Sequence, residues 1–162
     1  MPYLILMLFF VVILYIITVT DLQKCIIPNQ CILAAVLVRI LYFFIMREGN
    51  FRAFLWLLTE GLLVSVPVLL VTLLMEAILK KEVFGSGDIK LLFVIGLYLD
   101  LLECLLMLFV ACVLGFIGGV AAMKKSKAGG SAVFPFGPCL AAGSVVALLF
   151  GDFIIEWYLF LS

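Results

Sequence analysis

Apolar residues run along this chain in long blocks, with polar residues gathered into the short stretches between them. About 20 consecutive apolar residues are enough for a helix to cross the hydrocarbon core of a bilayer. The blocks at 3–20, 30–46, 53–75, 89–99, 104–123 and 137–160 therefore predict transmembrane helices, six in all. The fourth block is short, and Asp100 and Glu103 mark its end. One bent helix over 89–123 would reduce the count to five.

Lysine and arginine placement orients such a chain, because basic residues concentrate on the cytoplasmic side. The loops after the first, third and fifth spans hold Lys24, Lys80, Lys81, Lys124, Lys125 and Lys127, and Lys90 sits just inside the fourth. The opposite loops hold only Arg47 and Arg52, together with Glu48, Asp100, Glu103 and Glu156. Both termini are expected outside the cytoplasm. Asp21 and Asp88 are separated by two crossings, so they reach the same, cytoplasmic face. If the first and fourth spans are neighbours, the two carboxylates can meet.

Composition agrees with lipid as the solvent. Of 162 residues, 68% are hydrophobic and only 12% charged, where a soluble domain is about half apolar and a quarter charged. A net charge of +0 gives no reason to expect a nucleic-acid partner. The absence of histidine removes Ser–His and Cys–His nucleophiles and His-ligated metal sites. None of Cys25, Cys31, Cys104, Cys112 and Cys139 forms a CxxC pair. Most read as small apolar fillers of helix interfaces, while Cys25 and Cys31 stand apart by flanking IIPNQ. No metal and no cofactor is expected. The apolar N-terminus has neither a basic lead-in nor a small-residue cleavage site, so it reads as a retained helix rather than a signal peptide.

Small residues four apart suggest close helix packing: Gly61 and Ser65, Gly115 and Gly119, and Gly143, Ala147 and Gly151. Arg39 and Glu60 are each seven residues from the outer end of their spans. At 1.5 Å per residue, both lie roughly 10 Å deep. A structural ion pair between them is expected, since an isolated charge at that depth is costly.

Asp21, in TDLQKCIIPN, and Asp88, in GSGDIKLL, stand beside turn residues, each near a lysine. Carboxylates at membrane depth are functional candidates. Two in one low-dielectric site share a proton. One can then activate a water while the other protonates a carbonyl or amine, which is peptide hydrolysis without metal or covalent intermediate. Gly85 and Gly87 would let backbone or substrate approach Asp88 closely. Pro28 breaks the chain after the first span, with Asn29 as a possible N-cap of the second. Lys24 and Lys90 could hold the pair partly ionised or position substrate. On spacing alone, other readings fit the same residues. Asp21 and Asp88 could mark helix ends, GSGD could be a turn with an N-capping Asp, the lysines could be topological anchors, and residues 134–138 could be only a break before the last span.

TDLQKCIIPN resembles the first aspartate motif of type IV prepilin peptidases, GSGDIKLL resembles their GxGD motif, and FPFGPCLAAG resembles their late PFGP segment. The three occur in the family's order and cover nearly the whole chain. The resemblance implies a single transmembrane peptidase domain over 1–162, all-α and polytopic, in the bacterial cytoplasmic (inner) membrane. It implies an aspartic endopeptidase that cuts prepilin or pilin-like precursors after a glycine, between a short basic leader and an apolar helix. Asp21 and Asp88 carry over as the catalytic pair. Gly85, Gly87 and Lys90 match motif positions, as do Pro135, Phe136, Gly137 and Pro138, without an assignable role for the last four. Longer members carry an N-terminal cytoplasmic domain with paired CxxC motifs. This chain is similar instead to short members, such as those of tight-adherence pilus systems, and the resemblance does not extend to N-methyltransferase activity.

Presenilin-like proteases also use GxGD, but their first aspartate follows tyrosine and their late motif is PAL; here Thr20 precedes Asp21. The competing reading from another class is a small transporter or channel with the two aspartates as proton or ion ligands. Such proteins often show internal repeats or matched broken helices, and neither is visible in the sequence.

Overall fold

The computed structural model describes residues 2–46, 51–80, 85–125 and 135–161. These form six helices: α1 (Pro2–Lys24), α2 (Asn29–Ile45), α3 (Phe51–Leu79), α4 (Ser86–Tyr98), α5 (Leu101–Lys125) and α6 (Gly137–Leu161). The chain is an all-α polytopic membrane protein. Four helices, α1, α3, α5 and α6, are long and apolar enough to cross a bilayer unaided. Their outward faces present large apolar side chains such as Tyr15, Phe116 and Phe153, as lipid contact requires.

The breaks fall where the backbone chemistry dictates. Pro28 is extended (φ −66°, ψ 122°), and its carbonyl accepts the amides of Cys31 and Ile32 to open α2. Asn29 is thus the first helical residue rather than the N-cap expected from sequence. Asp100 and Glu103, which mark the end of the fourth apolar block, flank the start of the next helix. The Asp100 amide donates to Glu103 Oε2 at 3.0 Å, a carboxylate reaching back to the residue that precedes its helix. With Leu99 extended (φ −113°, ψ 145°), α4 and α5 are separate helices, and the bent-helix alternative over 89–123 is not the fold.

The short helix α4 is the centre of the structure. Its 13 residues rise only about 20 Å, against about 30 Å of hydrocarbon. From Val94 to Tyr98 every residue is buried. It packs chiefly on α3 and α2, and Tyr98 stacks on Phe10 of α1 with ring centroids 4.0 Å apart. Glycine permits the closest approach: a Cβ on Gly96 would stand 2.8 Å from the Gly61 Cα of α3. The Gly61–Ser65 step thus finds its partner on α4. On the other side of the fold, Gly143 of α6 lies against the Met107 carbonyl of α5, where a Cβ would approach to 2.6 Å. A buried helix shows no polar face, which is why α4 reads as one short apolar run.

The C-terminal end of α4 is where Arg39 makes its contacts. Arg39 does not close a direct ion pair with Glu60 among the described residues, although the two remain within electrostatic reach. Its Nε donates instead to the Leu97 carbonyl at 2.7 Å. The guanidinium lies 5.8 Å from the centre of the Tyr98 ring and 5.9 Å from that of Tyr42. The last four carbonyls of any helix lack intrahelical partners, and this helix end is buried in protein, at Tyr98 and Leu99, where water does not supply them. Arg39 meets that need, with its charge at the negative end of the helix. The Tyr98 hydroxyl donates to the Ala35 carbonyl at 2.8 Å and ties the same turn to α2.

Candidate active site

The opposite end of α4 carries Asp88. The helix starts after Gly85 (φ −67°, ψ 131°), and Asp88 sits in its first turn, buried. The Asp88 amide donates to the Gly85 carbonyl at 3.0 Å, and its carboxylate takes a hydrogen bond from the Gly85 amide. A Cβ on Gly85 would stand 3.0 Å from Asp88 Oδ2, tighter than side chains normally pack. The first glycine of GSGD therefore keeps the carboxylate close to the start of its own helix, where the dipole favours negative charge.

Asp21 lies inside α1, in its last turn, and is also buried. It does not follow the helix, as the apolar pattern alone suggests. α1 stops three residues on, at Lys24, and Cys25 then adopts φ 50° and donates its amide to the Asp21 carbonyl at 2.8 Å. A cysteine in that left-handed conformation is uncommon. It turns the IIPN segment back toward α4.

Both carboxylates open onto one cavity of about 290 Å³. Asp21, Cys25, Ile26, Ile27 and Asn29 form one wall; Gly85, Ser86, Gly87, Asp88 and Lys90 form the other. Two contacts join the walls. A Cβ on Gly87 would stand 3.1 Å from the Ile27 Cβ, so the second glycine of GSGD admits the isoleucine before Pro28. Lys90 Nζ donates to Asn29 Oδ1 at 3.1 Å. Lys90 thus bridges the two motifs instead of bonding to either aspartate. Lys24, exposed at the end of α1, stands outside the cavity wall, as does Pro28.

The late segment reaches the site through α6. Gly137, the first residue of that helix, donates its amide to Asp21 Oδ2 at 3.1 Å. Phe136 caps the helix, its carbonyl accepting the amides of Cys139 and Leu140. Pro138 lies in a groove between α1 and α6 rather than in the cavity. Cys139 is buried, within electrostatic range of Asp88. Of the motif residues, the structure brings together Asp21, Asn29, Gly85, Gly87, Asp88, Lys90 and Gly137. Pro135, Phe136 and Pro138 lie outside the cavity lining. The two isoleucines of IIPN and Cys25 line the cavity without having been singled out in the sequence. The clue available for them was the run of apolar residues before Pro28, where a loop would be polar.

Residues 8–120 match the Type IV leader peptidase family. The chain is 34% identical over 152 residues to a prepilin leader peptidase/N-methyltransferase of Bacillus subtilis, covering 93% of this chain and 57% of that protein. It is 38% identical over 79 residues to the protein of that name from Aeromonas salmonicida, covering 49% of this chain and 27% of the relative. The corresponding figures for Pseudomonas aeruginosa are 35% over 86 residues, 53% and 30%. The chain thus spans little more than half of the longest-matching relative and under a third of the others. No solved structure matches it. The family match takes in both aspartates, the IIPN turn and the GSGD helix start, the elements that form the cavity, and the chain belongs to the Type IV leader peptidase family.

Proposed function

We propose that the chain is a membrane aspartic endopeptidase that removes leader peptides from type IV prepilins or pilin-like precursors, with Asp21 and Asp88 as its catalytic pair. The observation that carries this reading is the shared cavity, to which each carboxylate is presented while hydrogen-bonded to a backbone amide at a helix start. The names of the relatives supply the substrate class.

The chemistry needs one proton on the pair. The ionised carboxyl takes a proton from a water whose oxygen attacks the scissile carbonyl carbon, while the protonated one gives its proton to the carbonyl oxygen. In the collapse that follows, the first carboxyl protonates the departing amine as the C–N bond breaks. The second recovers a proton from the new acid, so the pair returns to its starting state. The cut falls after a glycine, between a basic leader and an apolar helix, at the cytoplasmic face of the bacterial inner membrane. This placement, with both termini outside, follows the lysine distribution.

The test is cleavage of a model prepilin, with a basic leader, a glycine and an apolar helix, by the purified protein and by Asp21→Asn and Asp88→Asn. Loss of cleavage in both, with the helical fold retained, is expected. Activity in either variant rules out the pair. Proton or cation flux in vesicles without cleavage would favour the transporter reading.

A further inference from the structure

α6 begins with a glycine that has no room for a side chain. A Cβ on Gly137 would stand 2.5 Å from Asp21 Oδ2 and 3.2 Å from its Cγ. The reason is the hydrogen bond itself: the Gly137 amide approaches Oδ2 to 3.1 Å from a buried position. Helix starts leave their first amides without partners. Here Pro138 has no amide, and that of Cys139 goes to the Phe136 carbonyl. The Gly-Pro pair thus leaves one free amide in the first two positions of α6, and it is spent on Asp21. With Oδ2 engaged, the carboxyl plane is set and its other oxygen is left for a water.

The position of that amide is fixed in turn by Phe136. A Cβ on Gly115, in the middle of α5, would stand 2.7 Å from Cε2 of Phe136 and 3.1 Å from its Cδ2. Gly115 is a notch in α5 into which the Phe136 ring fits, one residue before the amide that holds Asp21. The sequence spacing of Gly115 and Gly119 suggests a helix-packing pair, yet a Cβ on Gly119 would meet nothing within 4 Å. The two glycines therefore have different roles, and only Gly115 bears on the site.

We propose that Gly137 is a positioning residue for Asp21, and that the seat of Phe136 in the Gly115 notch sets where the Gly137 amide stands. The proposal rests on the Asp21–Asp88 reading and goes beyond it, assigning work to α5 and to the late segment. Misplacing a reacting group by about 1 Å can cost about a hundredfold in rate.

Steady-state cleavage of the model prepilin by the purified protein in detergent tests it. Gly137→Ala pushes a methyl against the carboxyl and is expected to lower kcat about 10- to 100-fold, with KM within about threefold, since the residue is not assigned to substrate binding. Gly115→Ala is expected to lower kcat by a smaller factor, and adding Phe136→Leu, which removes the Cε atoms, is expected to restore most of it. If Gly137→Ala does not fold, the Gly115→Ala and Phe136→Leu pair decides the matter. Wild-type kcat in Gly137→Ala, or a double variant no better than Gly115→Ala, overturns the proposal. Asp21→Asn and Asp88→Asn are run alongside. If both are inactive while Gly137→Ala has full activity, only the positioning role fails; if either retains activity, the catalytic pair itself fails.

Discussion

The two ends of α4 meet the same physical problem and solve it differently. A 13-residue helix buried among others has unpaired amides at one end and unpaired carbonyls at the other. At the C-terminal end, Arg39 takes the Leu97 carbonyl, Tyr98 is tied to α2, and Phe10 closes the face; Tyr98, Leu99 and Cys104 are buried there. At the N-terminal end, the residues with dipole-complementary charge are acids, and glycines let backbone and neighbouring side chains close on them. One end is filled, so its charge is structural. The other opens onto a cavity that carries two carboxylates, Asp21 and Asp88, more negative charge than capping one short helix needs. A membrane charge signals function when its surroundings leave room for something else.

The largest predicted effect separates the ends outright. Asp88→Asn keeps the shape and the acceptor that the Gly85 amide uses, and removes the charge. Cleavage is expected to fall by at least about a thousandfold, within the range associated with loss of a general acid or base, while thermal stability in detergent changes little. Arg39→Met should do the reverse. It leaves the Leu97 carbonyl buried without a donor, a cost of about 1–3 kcal/mol, read as a lower unfolding temperature, with kcat per folded molecule within about threefold of wild type. Arg39→Met with normal stability and no cleavage would erase the distinction between the ends.

Next in size is the backbone contact between α3 and α4. A methyl on Gly96 would press on the Gly61 Cα, and backbone cannot rotate away as a side chain can. Gly96→Ala is expected to destabilise by about 1–3 kcal/mol, measured by thermal melting, with activity lost in proportion to the folded fraction. A rate loss beyond that fraction would show that the α3 contact sets the N-terminal end of α4 as well as its middle.

How far the sequence carried each region follows from which interactions are local. Apolar block lengths located all six helices, because span length is a property of the segment and the bilayer. The helix ends were less legible: α1 continues past Asp21, and α5 starts three residues earlier than the apolar block, at Leu101. The pairing of Arg39 could not be read, because a charged partner can be named from sequence and an orphan carbonyl cannot. Arg39 chose Leu97 because α4 is short, and the consequence of that shortness appears only when α2 is placed beside it. The aspartates were legible as oddities, and the parity of crossings put them on one face. The amide of Gly137, 116 positions away from Asp21, was invisible; every helix start has free amides, and only the packing of α6 on α1 says which one is used.

The smallest effect concerns the link between the walls of the cavity. Lys90 Nζ and Asn29 Oδ1 are 3.1 Å apart and exposed. Hydrogen bonds to charged groups are worth about 1.5–3 kcal/mol when well shielded, and exposure to solvent reduces this strongly. Lys90→Met is therefore expected to cost well under about 1 kcal/mol in stability. Asn29→Ala should cost a similar amount, and the double variant should cost no more than the larger single one if the two side chains act only on each other. The kinetic comparison is more telling than the melting temperature. If the link only joins the walls, both single variants share one small loss of kcat, about twofold to fivefold, and the double variant shows the same loss. If Lys90 also acts on the charge of the carboxylates, Lys90→Met exceeds Asn29→Ala and the losses no longer coincide. The N-terminal end of α4 would then hold three working charges rather than two, and its difference from the sealed C-terminal end would be larger than the carboxylates alone make it.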